Sequence, residues 1–205
     1  MSRVMLIFAT ALVALLAGAL FYAARLPVTV TTAQTPAAAP VAAPKILEVV
    51  SHPAFTLPDI TGTERNFSEW QGKNRLLNFW ATWCAPCRRE IPLLKDFQTA
   101  QAGNGFQVIG IAVDYPEAVA AYDESAEFNY PVLVGEQDAM AVAESSGIEF
   151  IGMPFTMFVA SDGEYLGAFI GELHQPQLDK VVELMTRLDR GEIEKDEART
   201  GLDAL

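Results

Sequence analysis

The sequence predicts an α/β fold in which a central mixed sheet is flanked by helices. Three observations predict it. Residues 76–80 and 106–113 are apolar runs of strand length, and each precedes a stretch with helical spacing. Two further apolar runs surround a turn at residues 161–163, a pattern typical of an antiparallel hairpin. Strands joined through helices pair in parallel and hairpin strands do not, so we expect a mixed sheet.

The first residues of the chain predict a membrane anchor. Residues 4–24 contain no charged side chain, and a helix of this length can cross a hydrocarbon core of about 30 Å. Arg3 makes the leading side positive, which favours an amino terminus in the cytoplasm. We therefore predict an anchor at residues 1–25, with a cleavable signal peptide as the alternative because residues 17–19 are small. Residues 26–45, rich in proline and alanine, predict an extended linker.

The remaining chain predicts one domain and a tail. Residues 46–190 carry the periodic segments, and a hydrophobic content of 51% is sufficient for one core. Residues 191–205 alternate charges with few apolar groups, so we expect a charged tail that is a frayed helix or disordered. The formal net charge of −12 argues against a nucleic-acid partner.

Shorter elements are predicted around the two apolar strands. Residues 55–58 and 65–67 flank a turn and predict a hairpin, and Ser68 is expected to cap the helical turn that follows. Residues 131–134 predict a further strand. Helices are predicted to begin at Pro86 and to span residues 116–128, 138–145 and 176–188.

The two cysteines, Cys84 and Cys87, fall at a predicted strand-to-helix turn. The unpaired N–H groups and the positive dipole at the start of a helix stabilise an anion, so Cys84 is predicted to be a thiolate nucleophile. Cys87 follows one helical turn later, where its sulfur can attack a mixed disulfide formed at Cys84. Ala85 is small and leaves Cys84 open to a partner, while Pro86 suits the first helical turn. We predict a redox-active disulfide and no other cofactor.

A cysteine pair at this spacing has two other common uses. A zinc site needs two further ligands, and His52 and His174 do not have a paired spacing, so no metal is predicted. A purely structural disulfide remains an alternative, although so short a loop contributes little chain entropy.

The Trp-Cys-x-Pro-Cys sequence at residues 83–87, followed by Pro92, resembles the active site of the thioredoxin superfamily. A second match lies at residues 152–156, where that family carries a cis-proline opposite the disulfide. The resemblance implies a thioredoxin-like fold, a cis bond before Pro154, and a Met153 backbone that pairs with an extended substrate. Trp83 is expected to form an apolar rim on which a partner docks.

The hairpin and the approach to the cysteines are similar to the TlpA/ResA/CcmG-like, membrane-anchored branch of that superfamily. This resemblance implies an N-terminal hairpin extension and an insertion at residues 131–145. Thioredoxins place a buried aspartate in the strand before the cysteines, whereas this chain has Asn78, which cannot ionise.

The branch has a glutamate at the position of Glu90, three residues after Cys87. A buried carboxylate there would have a raised pKa and could exchange a proton with Cys87. The alternative is a first-turn glutamate favoured by the helix dipole or paired with Arg88 or Arg89, two arginines that we expect on a solvated face.

The resemblance implies a thiol-disulfide oxidoreductase in the bacterial inner membrane with its catalytic domain in the periplasm, or a soluble periplasmic protein if the first segment is cleaved. Ala85 and Pro86 place no thiolate-stabilising group between the cysteines, which favours a reductase. Its expected client is a disulfide-bearing protein such as apocytochrome c, and its expected electron donor is a membrane-embedded thiol reductant. Alternatives are a disulfide isomerase or oxidase, a thioredoxin-fold peroxidase and a non-catalytic binding module.

Overall fold

A computed structural model describes residues 54–147 and 151–205. The predicted anchor, the linker and His52 lie outside these residues. In the described ranges, no helix is both long and apolar enough to cross a bilayer.

The described residues form seven strands and five α-helices. The strands are β1 (Thr56–Pro58), β2 (Glu64–Asn66), β3 (Asn74–Trp80), β4 (Phe106–Val113), β5 (Val132–Gly135), β6 (Phe155–Val159) and β7 (Tyr165–Ile170). The helices are α1 (Ala85–Gln101), α2 (Pro116–Ala126), α3 (Gln137–Ser145), α4 (Gln175–Asp189) and α5 (Lys195–Asp203). Apart from α5, these elements agree with the predicted ones to within a few residues.

Five strands form the predicted mixed sheet, in the order β5-β4-β3-β6-β7. Strand β4 pairs in parallel with β3 and β5, whereas β6 pairs antiparallel with β3 and β7. All residues of β3 are buried, as expected for a central strand covered on both faces. Strands β1 and β2 form the predicted separate hairpin, and a bridge from Asp59 to Leu133 joins it to the sheet.

Alternation along β3 distributes its side chains between two apolar layers. Leu76 and Trp80 belong to the layer that contains both cysteines and residues of α1, α2, α4 and α5. Leu77 and Phe79 belong to the layer that contains residues of the hairpin and α3. Asn78 has the same parity as Leu76 and Trp80, so this polar side chain points towards α1.

Several of the predicted site residues collect on one side of the sheet, where β3, β4 and β5 end and β6 begins. Trp80 pairs with Ala112, and Val113 pairs with Gly135, so the loops that follow β3, β4 and β5 are neighbours. Phe155 at the start of β6 pairs with Phe79 at the end of β3. We call this side the redox edge, comprising residues 81–84, 114–115, 136 and 151–154. Ligands of open α/β sheets bind beyond the carboxyl ends of parallel strands.

The prediction of a frayed or disordered tail after residue 190 is wrong. The segment forms α5, which packs against β7 and α4 and buries Ala198 and Leu202. Close approach is possible because Gly201 has no side chain, and a Cβ there would lie 2.7 Å from Leu184 Cδ1. The charges that suggested disorder form ion pairs with the β6–β7 turn, including Glu164 with Arg199.

The predicted cap of the helical turn is also wrong. A short 3-10 helix spans Phe67–Trp70, and its cap is Asn66, two residues before the predicted Ser68. Asn66 Oδ1 accepts the Ser68 N–H at 2.9 Å, and the Glu69 carboxylate accepts the Asn66 N–H at 2.8 Å. These reciprocal bonds form a capping box, which satisfies two backbone donors.

Candidate active site

The two cysteines are joined by a disulfide at the start of α1. Cys84 is the N-cap residue of the helix, and its Sγ accepts the backbone N–H of Cys87 at 3.3 Å. Cys84 is 6% exposed and Cys87 is fully buried, so an incoming thiol or disulfide reaches Cys84 first. This placement agrees with the predicted nucleophilic and resolving roles, because the helix N–H groups point at the outer sulfur.

The residues around Cys84 form a partly apolar surface. Trp83 is 69% exposed, which is unusual for so large an aromatic side chain. Ala85 is exposed and Pro86 half-buried in the first turn of α1. The structure thus places all three predicted contact residues beside the outer cysteine, and their role in binding a client remains a prediction.

The Met153–Pro154 peptide bond is cis. Pro154 directly precedes β6, and the pairing of Phe155 with Phe79 places it at the redox edge. The Pro154 carbonyl accepts the Gly171 N–H at 2.9 Å. The Met153 backbone makes no hydrogen bond to any residue that the structure describes, and its side chain packs on the layer that contains both cysteines. An extended client could therefore pair with Met153.

Glu90 is a buried carboxylate on the same face of α1 as Cys87 and is 1% exposed. Its Oε1 accepts Asn78 Nδ2–H at 2.7 Å, and its Oε2 accepts the Leu173 N–H at 2.8 Å. Neither neighbouring arginine pairs with it: Arg89 donates to Glu172 at 3.1 Å, and Arg88 is exposed. The surface ion-pair alternative for Glu90 is therefore excluded.

Burial raises the pKa of Glu90 to about 7, because the ionised carboxylate loses its water. The hydrogen bonds from Leu173 and Asn78 lower this pKa, but they offset only part of the effect of burial. The carboxyl group can therefore both accept and release a proton near neutral pH. Cys87 lies one helical turn before Glu90. Once the disulfide is reduced, Glu90 can exchange a proton with the Cys87 thiol.

Asn78 is a site residue whose contribution the sequence did not reveal. Its amide nitrogen donates to Glu90 and, at 3.0 Å, to Thr156 Oγ1, so it orients the carboxylate from strand β3. A polar side chain in an apolar, fully buried strand requires a partner, and this is the signal that could have pointed to it. Nothing in the sequence indicates the hydrogen bond from the Leu173 N–H, because Leu173 lies in a loop 83 residues from Glu90.

Asp114 is a second residue that sequence reasoning missed. Its Oδ2 accepts both the N–H and the hydroxyl of Thr82, at 2.8 and 2.6 Å, and its Oδ1 accepts the Tyr115 N–H at 2.8 Å. The carboxylate is 6% exposed and ties the loop before Trp83 to the end of β4. A carboxylate directly after an apolar strand was the available signal.

No cluster of three or more metal-ligating side chains occurs in the part of the chain that the structure describes. His174 lies at the start of α4, where its backbone N–H donates to Gln177 at 3.2 Å.

The sequence profile of the AhpC/TSA family matches residues 50–164, more than half of the chain. The chain belongs to this family. It is 28% identical over 132 residues to thiol-disulfide oxidoreductase ResA of Geobacillus kaustophilus, a match that covers 64% of this chain and 74% of the relative. It is 25% identical over 135 residues to ResA of Bacillus anthracis, covering 65% and 76%.

A solved structure supports the same assignment. The crystal structure of a thiol:disulfide interchange protein of the thioredoxin family from Chlorobium tepidum TLS has a TM-score of 0.60 and 27% identity, covering 66% of this chain and 95% of that one. These similarities and the Cys84–Cys87 disulfide identify the protein as a thiol-disulfide oxidoreductase with a thioredoxin fold.

Proposed function

We propose that this oxidoreductase works as a reductase of protein disulfides on the periplasmic side of the inner membrane, held there by residues 4–24. The observation that carries the proposal is the buried Glu90 beside Cys87, together with the neutral Ala85 and Pro86 between the cysteines. A strong oxidant depends on a strongly stabilised reduced form, which requires donors or cations around the thiolate in addition to the helix N–H groups that face Cys84. A carboxylate of raised pKa next to Cys87 does not supply them.

The proposed reaction begins with the reduced enzyme. The Cys84 thiolate attacks one sulfur of the client disulfide, whose S–S bond breaks, and a mixed disulfide and a client thiolate result. Glu90 then accepts the proton of Cys87, and the Cys87 thiolate attacks Cys84 Sγ. The second client thiolate leaves, both client thiolates take up protons, and two electrons have passed to the client. The enzyme retains the Cys84–Cys87 disulfide.

The proposed client is apocytochrome c before haem attachment, and the proposed electron donor is a membrane-embedded thiol reductant that returns two electrons to the Cys84–Cys87 disulfide. The supporting observations are the similarity to the relatives named ResA and the free backbone edge at Met153. An extended Cys-x-x-Cys segment can pair with that edge while one of its cysteines meets Cys84.

The first test is the reduction potential of the full-length chain, equilibrated with glutathione or dithiothreitol and measured by the fluorescence of Trp83. A value near or below roughly −270 mV, that of thioredoxin, is expected for a reductase. A value approaching roughly −120 mV would identify an oxidant and overturn the proposed direction of electron flow.

The second test measures turnover on a disulfide peptide containing Cys-x-x-Cys-His. We expect dithiothreitol-driven reduction by the wild type, none by Cys84→Ser, and accumulation of the mixed disulfide with Cys87→Ser. Rapid refolding of a protein with scrambled disulfides, together with slow reduction of the peptide, would indicate an isomerase. Consumption of hydrogen peroxide in place of peptide turnover would indicate a peroxidase.

The third test concerns location. In bacterial cells expressing the full chain, we expect the protein in the membrane fraction and its domain accessible to protease only after the outer membrane is opened. Recovery in the soluble periplasmic fraction with a shortened amino terminus would instead support signal-peptide cleavage.

A further inference from the structure

A cavity of about 240 Å³ adjoins Trp83 on the β4 and β5 side of β3, whereas Met153 precedes β6 on the other side of β3. It is formed by the loops that follow β3, β4 and β5. We call it the flanking pocket, and the residues that define it are Trp83, Asp114, Tyr115, Glu136 and Met140. Its volume corresponds to about eight water molecules, which is sufficient for one long side chain.

The walls of the flanking pocket include two exposed aromatic side chains. Trp83 is 69% exposed and Tyr115 is 57% exposed. Aromatic faces bind ammonium and guanidinium groups, and they also pack against the methylene groups that carry those cations. This geometry therefore favours the side chain of lysine or arginine over a short polar one.

The charge of the flanking pocket has the matching sign. The exposed Glu136 side chain makes no hydrogen bond or ion pair with any residue that the structure describes, and no lysine, arginine or histidine is among the residues lining the cavity. Glu172, which follows β7, is by contrast neutralised by Arg89 of α1. The unpaired carboxylate therefore lies on the flanking-pocket side, where a cation from outside the chain can pair with it.

We propose that the flanking pocket receives a lysine or arginine side chain that lies within a few residues of the client cysteine. This inference rests on the proposed function, because a client whose sulfur bonds to Cys84 necessarily lies beside Trp83. Each extended residue spans about 3.3 to 3.6 Å, and Trp83, which directly precedes Cys84, is one wall of the cavity, so a residue within a few positions of the client cysteine can lie against that wall. Glu136 and Tyr115 thus determine client specificity without taking part in electron transfer.

The test uses the full-length chain, reduced with dithiothreitol, and three disulfide peptides that differ at one residue next to the cysteine: arginine, glutamine or glutamate. The rate of peptide reduction is followed by Trp fluorescence. We expect the arginine peptide to react about tenfold faster than the glutamine peptide, and the glutamate peptide to be the slowest.

Two variants then locate the preference. Glu136→Gln is expected to lower the arginine-to-glutamine rate ratio to about two, and Tyr115→Leu to lower it by a smaller factor. Glu144→Gln is the matched control, because it removes an exposed carboxylate from α3 outside the cavity, and its ratio should equal that of the wild type.

The outcomes separate this inference from the proposed function. Equal rates for the three peptides, or a Glu136→Gln ratio equal to that of the wild type, would overturn the flanking pocket as a cation site and leave the reductase intact. Failure to reduce any of the peptides would overturn the reductase itself.

Discussion

Arg75 and Glu90 are both buried ionisable side chains packed against the same sheet, yet the protein treats them differently. Arg75, at the start of β3, is 3% exposed and donates to the carbonyls of Lys73 and Ala160 at 3.0 and 2.7 Å. Its guanidinium carbon also lies 4.7 Å from the centre of the Phe67 ring. Glu90, in α1, accepts two hydrogen bonds and pairs with no cationic side chain among the residues that the structure describes.

The difference lies in whether each group can lose its charge. Burial lowers the pKa of Arg75, but a guanidinium remains protonated under all ordinary conditions, so fixed carbonyls and a ring must solvate it permanently. Burial raises the pKa of Glu90 to about 7, and this carboxyl group escapes the cost of burial by binding a proton. The first arrangement is structural, and the second can take part in proton transfer.

The largest expected effect is on stability as a function of pH. The folded pKa of Glu90, about 7, lies above its unfolded value of 4.5, so the folded state holds a proton that the unfolded state releases. The contribution of Glu90 is therefore most favourable below pH 4.5, decreases by about 3 kcal/mol as the pH rises to 7, and then stays constant. The test is urea unfolding of the wild type and of Glu90→Gln at pH values from 4 to 9. The free energy of unfolding of the wild type should decrease between pH 4.5 and 7 relative to that of the variant. Parallel curves would contradict it.

Glu90→Gln should also slow the resolution of the mixed disulfide by about 100-fold at pH 7, because glutamine cannot accept the proton of Cys87. In the wild type the rate should rise as the pH increases through about 7, and this inflection should be absent in the variant. Stopped-flow measurement of client release gives both quantities. Glu117→Gln, which removes an exposed carboxylate from α2, is the control. An inflection near pH 7 that persists in Glu90→Gln would assign the proton transfer to another group.

Arg75→Met should lower the free energy of unfolding by about 2 kcal/mol, since two hydrogen bonds and the contact with Phe67 are lost. The disulfide exchange rate of the folded protein should not change. Arg75→Lys retains the charge, and its free energy of unfolding should decrease by about half as much as that of Arg75→Met. A slower exchange rate in either variant would show that Arg75 is coupled to the active site. It would contradict the conclusion that Arg75 is purely structural.

Asn78→Asp should have the smallest effect. A second carboxyl group beside Glu90 would compete for the same proton and place a like charge next to Glu90, which would raise the pKa of Glu90 further. The pH inflection of the resolution rate should therefore move to higher pH, and Asn78→Leu, which removes the donor without adding charge, should move it less. An inflection that moves to lower pH would mean that Asn78 does not orient the carboxylate.

Local patterns in the sequence predicted most of the fold and the position of the cysteine pair at the start of α1. The apolar runs, the prolines at helix starts and the residues between the cysteines act on neighbours, so their consequences can be inferred without the fold. Glu90 could be singled out for the same reason, because it lies one turn after Cys87. The hydrogen-bond partners of Glu90 could not be predicted, because the Leu173 N–H belongs to a loop that lies near Glu90 only in the complete fold.

The same reasoning explains the error at the end of the chain. Few apolar residues are present in α5, and composition alone therefore indicated disorder. In the folded protein Ala198 and Leu202 lie on one face of the helix, and the charges pair with residues of the preceding hairpin, such as Lys195 with Asp162 at 2.5 Å. Stability arises here from tertiary contacts that become visible only when β7 and α4 are in place.

The packing of α5 over β7 has a consequence for self-association. Strand β7 is at the end of the sheet, and such strands offer unpaired backbone groups to other molecules. Because Ala198 and Leu202 of α5 belong to the apolar layer beside that strand, a chain shortened at residue 190 would expose apolar surface next to β7. Helix α5 thus covers apolar surface at this end of the sheet and protects the folded protein against aggregation.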